Sequence, residues 1–322
     1  MTASSTTSKT RSRKRNRLLP RDVLDAFHQS VETAFMQQSF DLPSERRSLD
    51  ESCLQNALRT AVTVCLTCCA YLMWADSPAV APRKFFDDVH GMGSFPELDI
   101  DGICDGLRTA GVSRLQSEDL ARLYQHILSF RAVKHGTASG AWRLESDDKA
   151  KKDLGNFYTP MELSQLAAKQ ALEPLVRGAD GRVQSPDQIL ELQVVDPAMG
   201  GGAFLCAALD YLTAALEESL AVNKQQDAYP DPRILILTNC LHGVDLDPVA
   251  VEVCLLTLVL ESRCRESLPE IICPLRARLK CGNALIGAWR SQANTRSEMD
   301  LFCAAWFRPS LPQHVDQFTD QV

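Results

Sequence analysis

The feature that most narrows the fold is the run Asp196-Pro197-Ala198-Met199-Gly200-Gly201-Gly202-Ala203-Phe204-Leu205, taken with its flanks. Ahead of it, Leu192 to Val195 is a short apolar run of strand type. Behind it, Leu205, Ala208, Leu209, Leu212 and Leu216 recur at helical spacing. The glycines therefore occupy a strand-to-helix turn, the setting in which a glycine cluster carries meaning. Glycine lets a backbone come close to a ligand and take dihedrals closed to other residues. The helix start beyond it offers N–H groups that have no partner within the helix. Taken alone, the trio also fits a purely structural turn. Its spacing is not the GxGxxG of dinucleotide sites, which argues against a dinucleotide-dependent oxidoreductase.

Two further strand ends follow. Leu235 to Cys240 and Leu241 to Val244 are apolar and lead into Asp245-Leu246-Asp247-Pro248, then a helix from Val249 to about Glu261. Nucleoside-binding α/β folds end their second strand in an acid that accepts ribose hydroxyls, and Asp245 occupies that place. Asp247 fits the helix N-cap and Pro248 the first helical turn. A third strand-like stretch, Leu275 to Lys280, ends in Cys281-Gly282-Asn283, where Asn283 offers a donor and an acceptor.

Before residue 155 the texture is helical. Val23, Leu24, Phe27, Val31 and Phe35 mark one helix; Leu54, Leu58, Ala61, Cys65 and Leu72 a second; Leu120, Leu123, Ile127 and Leu128 a third. Gly and Pro between Pro78 and Gly111 read as a looped excursion. Seven basic residues between Lys9 and Arg21 read as a solvated tail, or as an arm for DNA phosphates. The net charge of -7 is not that of a chain coated for nucleic acid, so DNA contact must come from local patches or a partner. The cysteines are scattered through apolar stretches, and Cys65-x-x-Cys68 lacks a second pair at zinc spacing; buried thiols in a reducing cytoplasm fit, with no metal site. The apolar stretch Ala61 to Trp74 is too short to span a bilayer, so no membrane contact is expected.

With these residues in view, the chain resembles the gamma-class N6-adenine DNA methyltransferases of Type IIG restriction-modification and phage-exclusion systems. The run at 196–205 is similar to their DPACGSGAFL motif, with Met199 in place of Cys and Gly201 in place of Ser. Gly155-Asn156-Phe157-Tyr158-Thr159-Pro160 resembles their GxYYTP segment, Gly243 to Ala250 their GVDLNPxAV motif, and Leu279 to Gly287 their LxCGNSLIG motif. Leu301 to Phe307 resembles an apolar segment that follows. The resemblance implies a partial doubly wound, Rossmann-like methyltransferase sheet preceded by an all-helical domain, and S-adenosylmethionine as cofactor. It places Thr159 near the methionine carboxylate; Asp196, Gly200 and Gly202 along the methionine end, with Ala198 and Phe204 as walls; Asp245 on the ribose; and Asn283 near the adenine amine. The implied organisation is a basic tail (1–20), a helical domain (21–130), a linker (131–154), the cofactor-binding half of the methyltransferase domain (155–290) and an incomplete final segment (291–322).

The family's catalytic Asn-Pro-Pro-Tyr tetrapeptide does not occur in the sequence. The adenine amine is a poor nucleophile, and that motif holds the extruded base and accepts its amine protons. No catalytic residue is therefore assigned. The expectation is a cytoplasmic fragment or split subunit, inactive alone. It would act on double-stranded DNA with a second polypeptide carrying the missing motif and the target-recognition domain. A non-catalytic S-adenosylmethionine-binding or structural subunit is the alternative, and a degenerate remnant a third.

Overall fold

In the computed structural model, residues 19–39, 51–75, 80–92, 94–96, 98–134, 142–146, 159–225, 229, 231–264, 268–282 and 284 are described. The basic run before Leu19, the segment Gly155 to Tyr158, Asn283 and everything beyond 284 lie outside them.

Apolar residues spaced three and four apart form the N-terminal helices α1 (Arg21–Ser39), α2 (Glu51–Trp74) and α5 (Ser117–Ile127). The stretch read as a looped excursion instead holds two helices, α3 (Pro82–His90) and α4 (Ile100–Thr109). Their starts explain why: Pro82 sits at the first turn of α3, and Asp99 caps α4 by accepting from the Gly102 N–H. Phe85, Phe86 and Val89 of α3, and Ile100, Ile103, Cys104 and Leu107 of α4, are buried. The glycines punctuate the ends and exposed faces of these helices rather than forbidding them.

Helix α2 also corrects the sequence reading. Among the described residues it is the one helix long and apolar enough to cross a membrane, over Leu54–Trp74. It packs on α1, α4 and α5, and most of it is buried. Its apolar surface is thus spent on the protein core. Cys65, Cys68 and Cys69 lie wholly inside it as free thiols, and burial raises each thiol's pKa far above its ordinary value.

The stretch read as a linker contains an antiparallel pair, β1 (Phe130–Lys134) and β2 (Trp142–Ser146). Leu144 alternates inward there and its N–H donates to Glu32 of α1. Beyond it come α6 (Met161–Val176), α7 (Pro186–Leu190), β3 (Val194–Asp196), α8 (Ala203–Val222), α9 (Pro232–Asn239), β4 (Leu241–Asp245), α10 (Pro248–Glu261), α11 (Leu268–Arg278) and β5 (Leu279–Cys281). The three strands are parallel in the order β3-β4-β5, with helices in each crossover. The chain is therefore α/β in this region. The strand expected over Leu275 to Lys280 is only 279–281; its first residues complete α11, whose buried Leu268, Ile271, Ile272 and Leu275 follow a helical period.

One hydrophobic core runs through both regions. Helix α10 is apolar on nearly every face because it is covered all round: the sheet lies on one side and α2 and α5 on the other. Polar ties reinforce that junction. Arg276 of α11 pairs with Glu252 of α10 through its two terminal guanidinium nitrogens and also donates to the Val89 carbonyl of α3. Arg233 binds Asp210 and Glu261, and Ser117 of α5 bonds the same Glu261.

His90 is buried at this junction, its Nε2 2.9 Å from Thr67 Oγ1. Burial lowers its pKa to about 4; the Glu252 carboxylate opposes the shift and Arg276 adds to it. The unfolded chain takes up this proton near the ordinary value of 6.5, the folded chain only near 4. Stability from neutral His90 is therefore complete above about pH 6.5 and is lost as pH falls toward 4, by up to about 3 kcal/mol. Urea unfolding at pH 7.5 and pH 5 should show this loss, and His90→Gln should remove most of it.

Candidate functional site

β3 and β4 pair in register from Val194 with Leu241 to Asp196 with Gly243, so their carboxyl ends open side by side. The turns leaving them meet. The Met199 N–H donates to the Val244 carbonyl at 3.0 Å, and the Gly200 N–H donates to Asp245 Oδ2 at 2.8 Å. Asp245 Oδ1 accepts the Asp247 N–H at 2.9 Å, and the Asp245 carbonyl accepts the Gly282 N–H, just past β5, at 2.8 Å. All three strand ends are thereby fastened to Asp245. Each carboxylate oxygen takes one of these backbone donors and keeps capacity for another, such as a ligand hydroxyl.

The three glycines do three different jobs. Gly202 takes φ +86°, a left-handed value that disfavours side chains, and a Cβ there would lie 2.9 Å from Cys254 Sγ. A Cβ on Gly201 would fall 2.4 Å from the Cβ of Ala121 on α5. These two are packed against protein. Gly200, at φ +50°, has nothing within 4 Å of its missing Cβ. The open side of the turn is therefore at Gly200, beside Asp245.

Asp196 ends β3 within the same cluster. Its Oδ1 accepts the Ala198 N–H at 3.1 Å, while its Oδ2 is buried with no hydrogen-bond partner. Burial raises its pKa, the Ala198 N–H pulls it back, and the Asp245 charge adds to the rise. A buried carboxylate oxygen left without a donor, next to a second carboxylate, favours an incoming cation or N–H group. Each turn also contributes an exposed apolar side chain: Phe204 in the first turn of α8, 38% exposed, and Leu246 after Asp245, 67% exposed.

The sequence-predicted residues are distributed as follows. Asp196 accepts from the Ala198 N–H and Asp245 from the Gly200 N–H, and Gly202 and Phe204 continue the same turn into α8. Thr159 is half-buried just ahead of α6; its tie to the turn is the packing of α6 along α8. Asn283 lies outside the described residues. Asp247 caps α10 by accepting the Val249 N–H at 3.0 Å. Among the described residues no group of three or more His, Cys, Asp and Glu side chains is arranged to hold a metal.

Three participants escaped the sequence reading. Met199 is buried against Gly243, where a Cβ would come within 2.2 Å of its Sδ. Ala121 braces the glycine turn, and the Tyr124 hydroxyl donates to Asp247 Oδ2 at 2.5 Å. The last contact joins positions 123 residues apart, so no local pattern could announce it.

Against known proteins, residues 144–261 match the family model of the N-6 DNA methylases. That segment contains the whole glycine turn and Asp245. Over that segment the chain is similar to N6-adenine DNA methyltransferases. A protein of Methanocaldococcus jannaschii, named as a type II restriction enzyme and methyltransferase, is 28% identical over 179 residues. That alignment covers 44% of this chain and 15% of the relative, so the chain spans a small part of that protein's length. No solved structure matches the chain.

The contact between Gly201 and Ala121 predicts a specific coupling. Gly201→Ala should destabilise the protein by roughly 1–3 kcal/mol through overpacking. Ala121→Gly alone should cost about 1 kcal/mol of helix stability. The double variant should lose at least about 0.5 kcal/mol less than the two losses added together, read by chemical denaturation.

Proposed function

We propose that this chain carries the S-adenosylmethionine site of a site-specific DNA adenine-N6 methyltransferase belonging to a restriction-modification or phage-defence system. The observation that carries the reading is the Gly200 N–H seated on the Asp245 carboxylate at the ends of two adjacent parallel strands. It supports a partial Rossmann-like arrangement in which a nucleoside lies across the strand ends.

The residues present fit that cofactor. When bound, S-adenosylmethionine supplies a methyl group activated by its sulfonium. Asp245 accepts the ribose hydroxyls through the lone pairs its backbone donors leave over. Gly200 gives the ligand room at the open side of the turn. Asp196, whose Oδ2 lacks a donor within the protein, would counter the ammonium of the methionine end through its charge. Thr159 and the start of α8 would attend the methionine carboxylate, Ala198 and Phe204 would form walls, and the resemblance assigns Asn283 to the adenine amine.

Transfer forms a bond from adenine N6 to the methyl carbon, breaks the carbon–sulfur bond and releases an N6 proton. Orienting that amine is the work of an Asn-Pro-Pro-aromatic motif, which the sequence does not contain. In this reading a second polypeptide brings the motif and target recognition to double-stranded DNA in the cytoplasm, and the chain alone transfers no methyl group.

Calorimetry with S-adenosylmethionine tests the site. Asp245→Ala should weaken binding by roughly 1–3 kcal/mol, about five- to 150-fold. Asp196 gives a pH signature. Because an ammonium favours its ionised form, affinity should fall as pH drops through its raised pKa, and Asp196→Asn should flatten that dependence. Unchanged affinity in both variants would remove the site from this place. Methylation of DNA by the chain alone would remove the second polypeptide.

A further inference from the structure

We infer that Tyr124, on the N-terminal helix α5, is a positioning residue for the nucleoside end of the methyl donor, so that the helical region forms part of the cofactor site. The inference rests on the reading of the glycine turn given above.

The chain of contacts is continuous. Tyr124, 2% exposed, donates its hydroxyl proton to Asp247 Oδ2. Asp247, 9% exposed, uses Oδ1 to cap α10 and its own N–H to hold Asp245 Oδ1. Asp245 Oδ2 in turn receives the Gly200 N–H. Four residues thus link α5 to the open side of the glycine turn. One helical turn before Tyr124, Ala121 braces Gly201. A single face of α5 therefore touches both halves of the site, the turn after β3 and the turn after β4.

The chemistry explains why a tyrosine is needed there. An N-cap aspartate employs one oxygen on the helix start. Its second oxygen, buried here, would be left without a partner if the Tyr124 hydroxyl were removed. Asp247 would then turn toward water, and its N–H would carry Asp245 away from the direction that faces a ribose. A tyrosine that merely filled the core would affect stability without affecting this geometry.

Titration of the full chain with S-adenosylhomocysteine, well below the melting temperature, separates the two. Tyr124→Phe keeps the ring and should weaken binding roughly three- to tenfold, the range of one lost hydrogen bond. In an Asp245→Ala background the same change should alter affinity by less than about 1.5-fold, because its effect passes through Asp245. Asp247→Ser, which keeps an N-cap but does not reach Tyr124, should reproduce the loss and serves if Tyr124→Phe does not fold. A lower melting temperature with unchanged affinity in Tyr124→Phe, or equal loss in both backgrounds, overturns the inference while leaving the site in place. A parent chain that does not bind S-adenosylhomocysteine sinks the site and the inference together.

Discussion

The two backbone N–H groups held by the Asp245 carboxylate organise the rest of this site. A charged acceptor makes such bonds shorter and stronger than neutral ones, and here they come from different turns, one after β3 and one after β4. Parallel strands bring their loops to the same end of a sheet, but they do not by themselves fix how those loops meet. Asp245 does, and its main-chain carbonyl extends the same hold to β5. The arrangement is electrostatically incomplete. Asp196 stands beside it with one buried oxygen unpartnered and its proton affinity raised by burial and by the Asp245 charge. Two neighbouring carboxylates, one with its proton affinity raised, mark a place where a positive charge would be stabilising.

The clamp is held in turn by a core that makes no distinction between the helical and α/β regions. Helix α10 starts at the clamp and is buried against the sheet, α2 and α5 at once. Its N-cap, Asp247, touches both Asp245 and Tyr124. A movement of the N-terminal helices relative to the sheet would therefore move the start of α10, and with it the acid.

What was legible in the sequence follows from how local each signal is. The strand, glycine turn and helix at 194–222 could be read because composition, spacing and helix period agree within about thirty residues. Asp245 could be read because a strand end and a Pro-started helix bracket it. The helices at 82–90 and 100–109 were hidden by their glycines and proline, which normally break helices; here Pro82 and Asp99 act as starts instead. The β1–β2 pair was hidden because each strand is only five residues long and, among the described side chains, Leu144 alone is fully buried in the pairing. The contacts of Ala121, Tyr124 and Met199 had no local signal, since each is defined by a partner far along the chain.

These distant contacts also bear on the two departures from the resembled motif. If Gly201 were a sign of decay, its surroundings would be expected to retain space for the Ser it replaces, and they do not. Ala121 leaves no room at position 201 for any side chain, and the Met199 thioether lies where a Cβ at 243 would stand. Gly243 itself is further enclosed by Leu205 and Leu279. The larger residue at 199 lies against Gly243, a glycine that the resembled motif also has, and the smaller residue at 201 is met by the close approach of α5. Drift at a site under no constraint removes contacts; here each departure coincides with a filled one. Gly200, whose open side faces the clamp, is unchanged from the motif, as is Gly202. The substitutions fall on the protein-facing side of the turn and leave its open side as the motif has it.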